Sequence, residues 1–435
     1  MIDLNRKLPI GIQTFEKIRK GNYLYVDKTA LVGKMVSTSI PYFLSRPRRF
    51  GKSLLISTFE AYFLGRKDLF EGLAISQMEV DWQVYPVFHI DLNARKYDSP
   101  ADLIAMLNQH LEKWEAIYGT EKQDRQPEER FAYIIERACV QTGKQVVVLV
   151  DEYDKPMLQS IGNEELQRSF RDTLKPFYGV LKSMDGCIKF ALLTGVTKFG
   201  KISVFSDLNN LNDISMDERY IEICGITEKE IHENLEDELH ELAHRQKMTY
   251  DEVCKELKEC YDGYHFVEDS IGLYNPFSLL NTFDKMKFGS YWFETGTPTY
   301  LVELLKQNHY SLQRIAHEET DADVLNSIDS ASQNPVPVIY QSGYLTIKGY
   351  DRRFGMYRLG FPNREVEEGF IKFLLPYYAN VDKIESPFQI SKFVHEVEQG
   401  DYDAFFRRLQ SFFADTPYEL VRDLELHYQN VLFIV

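Results

Sequence analysis

The segment Pro41-Tyr42-Phe43-Leu44-Ser45-Arg46-Pro47-Arg48-Arg49-Phe50-Gly51-Lys52-Ser53 limits the possible folds of this chain more than any other. An apolar strand runs into a loop that ends in Gly-Lys-Ser. The stretch from Leu54 to Leu64 then carries apolar pairs at helical spacing before Gly65. Strand, loop and helix in that order are the layout of a phosphate-binding loop. Gly51 allows the tight bend that brings backbone N–H groups toward phosphate oxygens. The helix that follows aims its unsatisfied N–H groups and positive end at the same anion. In this reading Lys52 neutralises the β- and γ-phosphates of a nucleotide and the Ser53 hydroxyl ligates Mg²⁺. The loop departs from the pattern G-x-x-x-x-G-K-[ST] at one place, because Arg46 stands where the first glycine is usual.

Further along, Gln145-Val146-Val147-Val148-Leu149-Val150-Asp151-Glu152 is a β-branched run that ends in two carboxylates. A run apolar at every position predicts a central parallel strand covered on both faces. Asp151 at its end is placed to hold Mg²⁺, and Glu152 to orient and activate an attacking water. Val87 to Leu92 predicts a strand between the two motifs. Cys187 to Thr194 predicts a fourth, and Arg219-Tyr220-Ile221-Glu222-Ile223 a fifth. Ser99 as N-cap, Pro100 in the first turn and Gly119 as stop bound a helix whose apolar face is Leu103, Leu107, Leu111 and Trp114. Strands alternating with helices predict an α/β fold, a three-layer αβα P-loop NTPase of the additional-strand, catalytic-glutamate class. In that class Thr194 falls where a polar residue senses the γ-phosphate, with Thr197 and Lys198 beside it. Ordinary loop polarity accounts for these last two equally well.

Several segments together resemble the bacterial AAA-ATPase-like family. They are Gly11 to Phe15, Tyr25 to Thr29, Arg46 to Ser53, Leu193 to Phe199, Phe205 to Leu211, Tyr261 to Phe266, Tyr274 to Ser278, Gln341 to Thr346 and Gly360 to Val366. The resemblance spans almost the whole chain, and in that family arginine at the position of Arg46 is usual. It implies an ATP-binding protein with Mg²⁺ as cofactor, and a nucleotide-binding set of Arg46, Pro47, Arg48, Arg49, Phe50, Gly51, Lys52, Ser53 and Leu54. It also places Tyr25 to Thr29, with Asp27, near the adenine. Family members generally continue into a restriction-endonuclease-like nuclease domain. Its metal-binding Asp and Glu-x-Lys strands are not found here, so no nuclease activity is assigned. The segment Asp423 to Val435 reads as the first helix of such a domain, with exposed apolar surface.

Four modules follow from these readings: a P-loop ATPase core over 1–225, a helical lid over 226–290, a winged-helix-like α+β module over 291–375 by family analogy, and over 376–435 a helical linker leading into the truncated nuclease-like domain. Thr227 with Glu230 three residues on forms a capping box that opens the lid, and Ile231, Leu235, Leu239 and Leu242 mark its buried stripe. The net charge of −16 argues against broad non-specific nucleic-acid binding. The tight basic cluster Arg46, Arg48 and Arg49 reads as support for phosphates. DNA remains a partner only through the winged-helix-like module or the nuclease domain, and an oligomer is compatible with the sequence. No apolar run reaches the ~20 residues of a membrane helix. The five cysteines form no C-x-x-C pair and read as reduced thiols. With no signal-peptide core at the N-terminus, a cytoplasmic location is expected.

Two competing readings stand beside ATP hydrolysis. A nucleotide-dependent switch would bind ATP or ADP and turn over hardly at all. No arginine finger is evident to oppose this, Arg168 and Arg171 being unsupported candidates. A remote alternative is a zinc metalloprotease through His240-Glu241-Leu242-Ala243-His244. There His232, Glu236, His240 and His244 lie opposite the leucine stripe, as on a solvated face. Asp262, Tyr264 and His265 read either as a packed turn around Gly263 or as residues reaching the nucleotide.

Overall fold

Five parallel strands form the sheet of the N-terminal half: β1 (Pro41–Ser45), β2 (Val87–Asp91), β3 (Val146–Asp151), β4 (Ile188–Gly195) and β5 (Asn212–Asp213). The computed structural model describes residues 7–38, 40–120, 125–199, 208, 210–294, 299–325, 334–378, 386–414 and 424–434, and structural statements refer to these. The spatial order is β2-β3-β4-β1-β5. β4 therefore lies between the strand that enters the loop and the strand that carries Asp151. Val87–Asp91, which falls between the two motifs in sequence, pairs with β3 on its far side. Every residue of β3 is buried, as its uninterrupted apolar run requires of a strand covered on both faces. In-register pairing sets Ser45 opposite Gly195 and Asp91 opposite Asp151, so the C-terminal ends of four strands meet along one edge.

The helix signals are met at Pro100–Tyr118, where Ser99 and Asp102 form a capping box and Leu103, Leu107, Leu111 and Trp114 are buried. The expected strand Arg219 to Ile223 is instead a 3₁₀ helix, Glu218–Ile223. Asp217 accepts a hydrogen bond from Arg219 N at 2.9 Å, which turns the chain at its start. Tyr220, Ile221 and Ile223 still reach the core, so the burial is as expected and the backbone is not. The capping box of Thr227 and Glu230 is present, but the helix breaks at Leu235 into Glu228–Asn234 and Glu236–Gln246. Ile231, Leu235, Leu239 and Leu242 pack with Val253, Leu257, Leu279 and Phe283 into a small core of their own.

Beyond it the order is a helix (Thr299–Gln307), a 3₁₀ turn (Leu312–His317), β6 (Glu319–Asp321), two helices (Ala322–Leu325 and Val336–Gln341), β7 (Thr346–Asp351) and β8 (Met356–Gly360). These strands form an antiparallel sheet in the order β6-β8-β7. The next helix, Arg364–Tyr378, runs through the boundary expected at 375. The helix Leu424–Ile434 meets the expectation of exposed apolar surface only in part: Leu432 is exposed, whereas Val431 and Ile434 are buried. Asn430 holds that helix in place, accepting from Leu312 N at 2.8 Å and donating to Tyr310 O at 3.1 Å.

Candidate functional site

β1 delivers the chain to the sheet edge, and the loop after it turns back through two left-handed residues, Arg49 at φ +67° and Gly51 at φ +97°. The helix Lys52–Phe63 starts directly from Gly51, whose carbonyl accepts Leu55 N at 2.9 Å. Its first N–H groups face the hollow of the loop, as the anion-binding geometry requires. Lys52 is only 4% exposed. Its ammonium donates to the carbonyls of Arg46 at 3.0 Å and Pro47 at 3.2 Å, and lies 3.6 Å from Glu152 Oε1. The loop lysine and the carboxylate directly after β3 thus meet in one cleft.

Glu152 sits at φ +54°, a left-handed conformation that costs a residue with a Cβ about 1–2 kcal/mol. Thr194 is fully buried and does not open onto the cleft; its hydroxyl donates to Asp151 Oδ1 at 2.7 Å. The expected γ-phosphate sensor therefore orients the expected Mg²⁺ ligand instead. The bond occupies one oxygen of Asp151 and leaves the other. Among the described residues no group of three His, Cys, Asp or Glu side chains could hold a metal. A hydroxyl from Ser53 and one carboxylate from Asp151 suit Mg²⁺, which takes few protein ligands and completes its shell with phosphate oxygens and water.

A cleft of about 710 Å³ opens over this loop. Of the residues expected to bind nucleotide, Arg48, Arg49, Gly51, Lys52, Ser53 and Leu54 line it, with Glu152. Four others do not. Arg46, 1% exposed, points away: it donates to Ser45 O at 2.9 Å and Ser215 O at 2.8 Å, and its guanidinium stacks 4.0 Å from the Phe266 ring centre. Burial lowers its pKa to about 10. An arginine replaces glycine here because the side chain leaves the loop on its outer side. Pro47 packs against Gly343, and Phe50 meets Tyr264 edge-on at 4.8 Å. Asp27 ties two backbone segments together, accepting from Thr29 N and Ala74 N, each at 2.8 Å.

Tyr25, Val26 and Lys28 line a smaller pocket of about 100 Å³ with Leu24, Phe50 and Ile226. It adjoins the main cleft, sharing Pro9, Gly51, Leu54, Pro276 and Leu280 with it. Its walls are apolar and contain no carboxylate, and Lys28 is paired with Glu230.

Several cleft residues escaped the reading by motif. Gly11, Ile12, Gln13, Pro276 and Phe277 line it too, and Arg49 stacks on Phe277 at 4.8 Å. Their signal was membership of the family segments. Lys96 and Lys155 line the side near Glu152, and Lys155 donates to Asn93 Oδ1 at 3.1 Å. Arg168 and Arg171 do not line the cleft. Thr197 is buried, and Lys198 is paired with Asp213. Asp262, Tyr264 and His265 also lie outside the cleft, in a packed turn with Gly263 at φ +92°.

The zinc-protease pattern gains no third ligand among the described residues. Glu241 is paired with Arg245 at 2.7 Å, and His240 lies 3.5 Å from Glu236. That is the solvated face.

The outer side of the loop is held by the C-terminal half. Trp292 Nε1 donates to Arg48 O at 3.2 Å, and its backbone N donates to Glu365 at 2.8 Å. Lys198 N, in the loop after β4, donates to Gln341 Oε1 at 2.7 Å.

Comparison with known proteins agrees with this geometry. The family profile described as "Predicted AAA-ATPase" matches residues 9–205. A protein of Azotobacter chroococcum mcd 1, described as "Uncharacterized protein in vnfD 5'region", is 37% identical over 427 residues, which cover 96% of this chain and 79% of that protein.

Proposed function

The chain belongs to the AAA-ATPase-like family, and on that footing we propose that it binds ATP with Mg²⁺ in the cleft over residues 46–54 and hydrolyses it to ADP and phosphate. The observation that carries the reading is the meeting of Lys52, from the loop after β1, and Glu152, from the turn after β3, at 3.6 Å in one cleft. Lys52 already sits on the loop carbonyls, ready to exchange them for phosphate oxygens. The backbone N–H groups at the start of helix Lys52–Phe63 complete the anion cradle. Ser53 and Asp151 hold Mg²⁺, with Asp151 oriented by Thr194; bound there, the ion supplies charge to the phosphates. Glu152 positions the attacking water and accepts its proton. The apolar pocket beside Tyr25 takes adenine, and the absence of a carboxylate from its lining disfavours guanine, whose N1–H and amino group call for one. β4 between β1 and β3 is the strand placement of the additional-strand, catalytic-glutamate class.

Residues 226–290 act as a lid, a role supported by Pro276, Phe277 and Leu280 lining the cleft. The later order of helix, β6, two helices, β7 and β8 fits a winged-helix-like module. Its helix Val336–Gln341 is buried along its whole length, so reading DNA with it would require undocking. Trp292 on Arg48 and Gln341 on Lys198 couple the C-terminal half to the cleft. They also favour the second reading, a nucleotide-dependent switch. Glu152→Gln separates the two. In an ATPase it lowers kcat by about 100-fold or more and keeps ATP affinity. A wild type that binds ATP, shows no turnover and changes conformation with nucleotide overturns hydrolysis in favour of the switch.

A further inference from the structure

Asp154 lies two residues past Glu152 and is fully buried, yet no role is assigned to it above. One oxygen, Oδ2, accepts three hydrogen bonds: from Val196 N at 3.0 Å, Thr197 N at 2.7 Å and the Thr197 hydroxyl at 2.6 Å. The other oxygen has no partner and faces Gly195, where a Cβ would come within 2.6 Å of it. Burial, and after it the charge of Glu152, raise the Asp154 pKa to about 7.

Its neighbour Tyr153 grips the same loop. Tyr153 N donates to Thr194 O at 3.0 Å, and its hydroxyl donates to Thr197 O at 2.9 Å and accepts Phe199 N at 3.1 Å. Glu152, directly before this pair, is held at φ +54°. A conformation that costs energy persists only where its surroundings over-determine it. The backbone on the downstream side of Glu152 is anchored by five hydrogen bonds from residues 153 and 154 to residues 196, 197 and 199, and by a sixth to Thr194. The bland account is that a buried carboxylate stabilises a loop. Its placement goes beyond that: the clamp joins the turn that carries Glu152 to the loop that follows Thr194.

We propose that Asp154 is a positioning residue: by clamping residues 195–197 to the turn after β3, it holds Glu152 in its left-handed conformation with the carboxylate facing the cleft. The proposal rests on the ATPase reading and deepens it. It assigns to Asp154 no contact with the nucleotide. Freed from the clamp, Glu152 relaxes to negative φ and its carboxylate swings off the line of attack, while Lys52, Ser53 and the helix N-terminus still bind the phosphates.

The test uses the full chain with Asp154→Ala, which removes the acceptor, with Asp154→Asn, whose amide oxygen still accepts the three bonds, and with Thr197→Val, which removes one of them. A misplacement of about 1 Å costs about 100-fold in rate. Asp154→Ala is therefore expected to lower kcat by about that factor, Thr197→Val by less, and Asp154→Asn least of the three. KM and the calorimetric affinity for Mg·ATP stay within about twofold of wild type. Amide exchange of residues 195–199 speeds up in Asp154→Ala and in Thr197→Val. An unchanged kcat in folded Asp154→Ala, alongside loss of turnover in Glu152→Gln, overturns the proposal and leaves the ATPase reading standing. Loss of affinity in parallel with kcat reduces Asp154 to a structural residue and also overturns it. If Asp154→Ala does not fold, a wild-type kcat in Thr197→Val decides against the clamp. A wild type that binds ATP without turning it over refutes the ATPase reading, and the assigned role of Asp154 falls with it.

Discussion

Replacing Lys52 with alanine removes a cation that is 4% exposed and makes two hydrogen bonds to carbonyls of its own loop. In the free protein those bonds contribute about 1 kcal/mol each. Against them stands the desolvation of a buried ammonium, itself several kcal/mol and only partly offset by Glu152 at 3.6 Å. The two terms oppose each other, so the nucleotide-free variant is expected to melt within about 3 °C of wild type. With nucleotide the balance changes. A charge-assisted bond from Lys52 to phosphate contributes about 1.5–3 kcal/mol. At about 1.4 kcal/mol per tenfold, ATP affinity falls by about 10- to 150-fold. Isothermal calorimetry with Mg·ATP measures this directly, with Lys52→Met as the variant that keeps the apolar stem. Affinity within about threefold of wild type in both folded variants would refute the assignment of Lys52 to the phosphates.

Other consequences follow from the same contacts. Gly263→Ala forces a Cβ to within 2.2 Å of Pro362 O at φ +92°, and is expected to destabilise the chain by more than about 3 kcal/mol in urea unfolding; a loss below about 1 kcal/mol would show that the turn gives way easily. Trp292 bonds to the Arg48 carbonyl, so ATP binding is expected to change tryptophan emission in wild type and not in Trp292→Phe; the same change in both would locate the signal at Trp82 or Trp114. Burial holds His110 and His265 below the ordinary imidazole pKa of about 6.5. At these two groups the folded state binds fewer protons than the unfolded chain, so their contribution to stability falls as pH drops through about 6.5. His110→Gln is expected to narrow the difference between urea midpoints at pH 7.5 and 5.5, and an unchanged difference would exclude His110 as a contributor.

The parts of this structure that were legible in the sequence are those dictated by local chemistry. Gly51-Lys52-Ser53 between an apolar strand and an apolar-faced helix specifies strand, turn and helix, because few other residues tolerate that bend and start a helix at once. Ser99 as N-cap before Pro100 and the capping box of Thr227 likewise mark helix starts to the residue, since the caps satisfy backbone groups of the first turn. The uninterrupted run of β3 announced a strand buried on both faces. Arg219 to Ile223 misled for a related reason: β-branched and aromatic residues record burial as much as strand, and Asp217 turned the backbone.

The sequence by itself determined which residues build the loop and which strand ends carry the carboxylates, and these suggest the class of ligand proposed. Only the tertiary structure decided where each side chain of those segments points. Arg46 and Lys52 are neighbours in one motif, yet one leaves the loop outward onto Phe266 and the other inward to Glu152. Thr194 meets Asp151 because β4 inserts beside β3, a pairing that spans 43 residues of chain and that no local pattern encodes. The same holds for Asp154, an unremarkable turn residue in sequence whose three hydrogen bonds come from a loop brought to it by the sheet. Backbone preference acts over a few residues and shows in the sequence. Side-chain direction at a site is settled by long-range packing and the pairing of buried polar groups, which exist only once the sheet has assembled.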